Sequence, residues 1–147
     1  MLSGGAPCQT ENTTGMARSV LAEVARMLES LAEDGTTGSI DLRSLPLTEA
    51  DRKQLEDLLG RGEVVAELEL AGRSTVWETA YAGAWWIRHR GAEDKISSEE
   101  IAVCPVPDIL ITHSADIETA ALKLKQEIQA QIAAEAAPTI EPEASNG

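Results

Sequence analysis

The side chains able to do covalent or metal chemistry are few. Two histidines, His89 and His113, and two cysteines, Cys8 and Cys104, stand among 25 carboxylates. A thiol or hydroxyl nucleophile needs a base within hydrogen-bond reach, yet neither cysteine neighbours a histidine and no Gly-x-Ser-x-Gly elbow occurs. Structural zinc is usually held by short-spaced ligand pairs, and neither cysteine lies in a Cys-x-x-Cys. The sequence therefore assigns no metal, no cofactor and no catalytic residue. Paired carboxylates could do general acid–base work, but an acid without a recognisable partner is usually a solvated surface group. The glycine-bearing stretches "GRGE" and "AGR" lack the phosphate-cradling pattern.

One stretch does stand out. "ETAYAGAWWIRHRG", residues 78–91, holds two of the three tryptophans and the only tyrosine of a chain without phenylalanine. A two-residue turn at Ala82–Gly83 sets Tyr81 opposite Ala84, Thr79 opposite Trp86 and Trp77 opposite Arg88. One strand face then carries Trp77, Thr79, Trp86, Arg88 and Arg90. The other carries Val76, Glu78, Ala80, Trp85, Ile87 and His89. Three readings follow. The tryptophans are core, with Arg88 over an indole and Glu78 paired diagonally with His89. Alternatively Trp77, Glu78, Trp86, Arg88 and Arg90 contact or support a docking surface, since Trp and Arg dominate binding hot spots. In the third, Glu78, Arg88 and His89 form the pocket of a small ligand-binding or enzymatic domain.

The elements that position this hairpin follow from hydrophobic period. Residues 1–13 read as a leader without an apolar face. From Thr14, Val20, Val24, Met27 and Leu31 recur at helical spacing until Gly35. "SIDL" predicts a short strand. Thr48 and Asp51 form the start of a short helix with Leu55, Leu58 and Leu59 on one face, closed by Gly60. The period then changes to two: "EVVAELEL" puts Val64, Ala66, Leu68 and Leu70 on one face and Glu67 and Glu69 on the other. "RSTVWETAY", "AWWIRHR" and "EIAVC" continue an antiparallel meander, which ends at Pro105 and Pro107. Last comes a long helix capped by Ser114, with a stripe of Ile117, Ala121, Leu124, Ile128 and Ile132, before an acidic tail at 138–147. The expected fold class is α+β: one domain over 14–137, with N-terminal, short middle and long C-terminal helices packed on a meander of about four strands plus a short extra strand. The alanine-rich end of the last helix can pair with a second chain.

A net charge of −13 opposes binding to nucleic acid and to anionic membrane surfaces. No apolar run is long enough to span a membrane, and the opening residues lack a secretory signal, so the expected location is the cytoplasm.

"IDLRSLPLTEADRKQLEDLLGRGEV", "ETAYAGAWWIRHR" and "IAVCPVPDIL", in that order over roughly residues 38–113, resemble the C-terminal region of the HupH/HyaF family of hydrogenase expression and formation proteins. Ala84 and Cys104 stand where that family leads one to expect Val and Ala. Members are usually longer, with a further region ahead of this one. The resemblance implies an accessory, chaperone-like protein for maturing an uptake [NiFe] hydrogenase. It would act by contact rather than turnover, on the iron–sulfur-bearing small subunit or a thioredoxin-like accessory protein.

Overall fold

The computed structural model describes residues 12–137 apart from Leu70, so most of the leader, the tail, Cys8 and Leu70 lie outside the described residues. The chain forms two compact units that divide between Asp108 and Ile109.

In the first unit, helix α1 (Met16–Asp34) ends where Gly35 takes a left-handed conformation and returns its N–H to the Leu31 carbonyl. It buries Ala17, Val20 and Val24. Strand β1 (Gly38–Asp41) and a short turn lead to helix α2 (Glu49–Leu59), whose capping box is formed as expected. Thr48 Oγ1 accepts from the Asp51 N–H, and Asp51 reaches back to the Thr48 N–H. Leu55 and Leu59 are buried, whereas Leu58 points outward and is exposed.

Strands β2 (Val65–Glu69), β3 (Arg73–Glu78), β4 (Ala84–Arg90) and β5 (Ile96–Val103) form the meander, and β1 joins its far side. The result is a five-stranded antiparallel sheet in the order β1-β5-β4-β3-β2. The α+β expectation holds, with α1 and α2 on one sheet face. Their side chains share a core with Leu42, Trp77, Ala84, Trp86, Ile101 and Val103.

The hairpin register differs from the expected one. Trp77 pairs with Trp86, Glu78 with Trp85, and Thr75 with Arg88. The cause is a longer turn: the Thr79 N–H donates to the Ala84 carbonyl at 2.9 Å and the Ala84 N–H to the Tyr81 carbonyl at 2.9 Å. Gly83 takes a φ of +93° there, close beneath Leu28 and Leu31 of α1. The shift is an even number of residues, so each side chain keeps its predicted face.

The second unit contains helix α3 (Ser114–Ala136). His113, not Ser114, occupies its N-cap position and gives no side-chain cap. The helix forms where its periodicity puts it, but it buries none of its residues. Ile117, Leu124, Ile128 and Ile132 are all exposed. Side chains of α1 and α2 supply the helical part of the core described above.

Candidate functional site

The aromatic cluster is built on the helix-covered sheet face. Trp77 and Trp86 stack with ring centroids 5.6 Å apart and planes 7° from parallel, and both are buried. Each ring of this size removes roughly 150–250 Å² from water, about 4–6 kcal/mol at 25 cal/mol per Å². Arg61 caps the pair, its guanidinium carbon 4.0 Å from the Trp77 ring centre. The loop that carries Arg61 lies tight on β3. Gly62 donates to the Glu78 carbonyl at 2.7 Å, and a β-carbon on Gly62 would come within 2.6 Å of the Thr79 carbonyl oxygen. Trp77 Nε1 is buried without a hydrogen-bond partner among the described residues.

Arg88 stands two residues after Trp86 on the same face and lies 5.1 Å from the Trp77 ring centre. Its cross-strand partner is Glu99, which is almost wholly buried. Three donors converge on that carboxylate. Arg88 Nε donates to Oε2 at 2.5 Å and Trp86 Nε1 to the same oxygen at 3.1 Å, while Arg52 Nη1 reaches Oε1 at 3.4 Å. Arg88 Nη2 donates onward to Glu56 of α2 at 2.9 Å. Burial alone would lower the Arg88 pKa, but Glu99 first and Glu56 second outweigh it and hold it above its ordinary value. Arg52 also pairs with Glu49. The network ties α2 to β4 and β5 and borders an open surface cavity of about 160 Å³ lined by Glu49, Arg52, Lys53, Glu56, Arg88 and Ile96. Lys53 and Glu49 are its exposed charges.

The proposed Glu78/Arg88/His89 pocket is not assembled. Arg88 faces the helices, while Glu78 and His89 lie on the opposite sheet face, so the sheet itself separates them. Nor do Glu78 and His89 pair diagonally. His89 Nδ1 lies 2.6 Å from the hydroxyl of its direct cross-strand partner Ser74. Of the residues expected at a docking surface, Trp77 and Trp86 are buried and can only support one from beneath. Glu78, Arg88 and Arg90 are half-buried, and Arg90 donates to the Asp94 carbonyl at 3.0 Å. Trp85, on the other face, is also buried and donates to the Cys104 carbonyl at 3.1 Å. Burial raises the pKa of the Cys104 thiol, with Asp108 and Glu100 adding to it.

Sequence reasoning missed Arg52, Glu56, Arg61 and Glu99. One signal was available for Glu99: alternation along "EEIAV" puts it on the same face as the core residues Ile101 and Val103. A carboxylate at a core position requires a cation.

The HupH hydrogenase expression protein family, through its C-terminal conserved region, matches residues 15–131. The chain belongs to that family. The E. coli K12 "Hydrogenase-1 operon protein HyaF" is 31% identical over 106 residues, 72% of this chain and 36% of that protein. The Rhodobacter capsulatus "Hydrogenase expression/formation protein HupH" is 26% identical over 96 residues, covering 65% and 35%. This chain therefore spans about a third of the length of the curated relatives it matches. A solved structure, the hydrogenase expression protein HupH from Thiobacillus denitrificans, superposes with a TM-score of 0.77 at 38% identity, over 80% of this chain and 98% of that one. The residue-level resemblance and the α+β fold are thus both confirmed.

Proposed function

We propose that this chain is an accessory protein in the maturation of an uptake [NiFe] hydrogenase, acting in the cytoplasm by protein–protein contact. Membership of a hydrogenase expression family carries the reading, and the relatives named as hydrogenase expression or formation proteins support it. The fold is compatible with such a role. A sheet whose aromatic pair and buried carboxylate are locked beneath α2 presents its surface with little order left to lose on binding. The expected partner is the small subunit or a thioredoxin-like accessory protein.

The test is capture from cells assembling the hydrogenase. Tagged protein should co-purify with one of those two partners, and deletion of its gene should lower the yield of mature enzyme. Unchanged enzyme yield together with no hydrogenase protein in the captured fraction would overturn the proposal.

A further inference from the structure

The β2 edge of the sheet is open. Among the described residues β2 is the last strand in the order and pairs only with β3. The Glu78 N–H donates to the Val64 carbonyl at 2.9 Å, so Val64 directs its carbonyl toward β3. Backbone polar groups alternate in direction along a strand, and those of Val65, Glu67 and Glu69 accordingly point away from the sheet. None of these outward groups has a hydrogen-bond partner among the described residues. The same three residues are exposed, and Val65 lies next to the buried Trp77 in the register.

Natural edges are usually blunted by proline, by a bulge or by charged side chains, lysine most often. Over Val65–Glu69, β2 has no proline, bulge or lysine, and the irregular register of the sheet lies elsewhere, at His89/Arg90. What it does carry is acid: Glu67 and Glu69, with Glu63 just before the strand, all exposed. A second copy pairing antiparallel through β2 would set glutamates against glutamates, and like charges directly opposite are destabilising. The charge that repels a copy of this chain attracts a basic strand.

We propose that β2 is a docking edge that receives an extended segment of a partner protein as a sixth, antiparallel strand. Main-chain hydrogen bonds from Val65, Glu67 and Glu69 supply the binding. Specificity comes from alternate side chains on the helix-bearing side. Read from its N-terminus, the segment places a basic residue opposite Glu69, a second basic residue opposite Glu67 two positions later, and an apolar residue opposite Val65 two positions after that. This deepens the reading of a contact-based accessory protein and rests on it only for the partner's biological identity.

The probe is a synthetic peptide, acetyl-Thr-Arg-Thr-Lys-Thr-Val-Thr-amide, added to the ¹⁵N-labelled protein. Its control has glutamate in place of both basic residues. Amide shifts should move first at Val65, Glu67 and Glu69, and the control should bind about tenfold more weakly or worse. The double variant Glu67→Lys/Glu69→Lys alters exposed side chains only, and it should reverse the preference. Shifts centred elsewhere, no binding by either peptide, or equal binding of both would overturn the proposal. So would a dimer in sedimentation velocity whose dissociation on dilution moves the amides of Val65, Glu67 and Glu69. The hydrogenase reading fails separately: peptide binding with no hydrogenase protein captured from cells leaves the docking edge standing and removes that partner.

Discussion

Trp77 and Trp86 lie directly opposite each other across β3 and β4, stacked 5.6 Å apart with Arg61 and Arg88 beside the pair. Both rings are buried, so a chain poor in aromatics has spent two of its three tryptophans on joining the sheet to its helices. Replacing Trp86 by alanine should cost roughly 3–5 kcal/mol and lower the melting point by about 10 °C or more. Trp85→Ala should also destabilise, because Trp85 is buried on the other face and bonded to the Cys104 carbonyl. Thermal melts of the two variants are the check. A Trp86→Ala protein that melts like the parent would show the stack to be dispensable.

Glu99 and Arg88 should behave as one unit. Glu99→Gln replaces a buried carboxylate by a neutral amide and leaves the half-buried Arg88 guanidinium without its opposite charge, and breaking a pair of this kind from one side costs up to about 3–5 kcal/mol. Removing both, as Arg88→Met with Glu99→Gln, should cost less than the sum of those two single changes, since neither charge is then stranded. A double-mutant cycle by urea unfolding reads that coupling. Strictly additive losses would mean that the pair contributes no coupling.

Asp51 links α2 to the chain ahead of α1. Its carboxylate accepts from the Thr14 N–H at 2.7 Å, the Thr14 hydroxyl at 2.6 Å and the Thr48 N–H at 3.1 Å. Burial pushes its pKa up, but the bonds from Thr14 and Thr48 outweigh that and hold it below the ordinary 3.8. A carboxyl group with a lowered folded-state pKa contributes stability that is present above the unfolded value and lost as pH falls through the folded one. Urea melts of the parent should therefore weaken in acid, below about pH 4. Asp51→Asn should be less stable at neutral pH and show a flatter acid limb. Thr48→Ala, which removes the cap, should cost about 0.5–2 kcal/mol. An unchanged acid limb in Asp51→Asn would assign the acid loss to other carboxylates.

Much of this arrangement was legible in the sequence because it rests on local period. The helical spacing of Val20, Val24 and Leu31, the Thr48/Asp51 box and the alternation through Trp77 and Trp86 each place an element without reference to a distant residue. The hairpin register was not, because two hydrogen bonds around Thr79 and Ala84 lengthen a turn that its Ala–Gly pair suggested was tight. The carboxylate network was hidden for a different reason. Arg52, Arg88 and Glu99 are brought together only when α2 docks on β4 and β5, and their separation in the chain carries no pattern. For α3, apolar spacing alone predicts the helix, and its stripe of Ile117, Leu124, Ile128 and Ile132 is exposed.

Cys104 follows β5 and is half-buried, with Asp108 and Glu100 bearing on its thiol. All three influences disfavour the thiolate, and the thiolate is the species that alkylates. Iodoacetamide should therefore modify Cys104 more slowly near pH 8 than it modifies a small free thiol. The inflection of its rate with pH should fall above the ordinary 9.0. Peptide mass mapping distinguishes it from Cys8. Burial is the largest cause of the shift, ahead of Asp108 and then Glu100. Asp108→Asn with Glu100→Gln should thus lower the inflection only part of the way, leaving it above 9.0 while the surroundings stay folded. Alkylation of Cys104 as fast as that of glutathione at pH 8 would show that the thiol reaches water freely, and that the strand end around Pro107 opens.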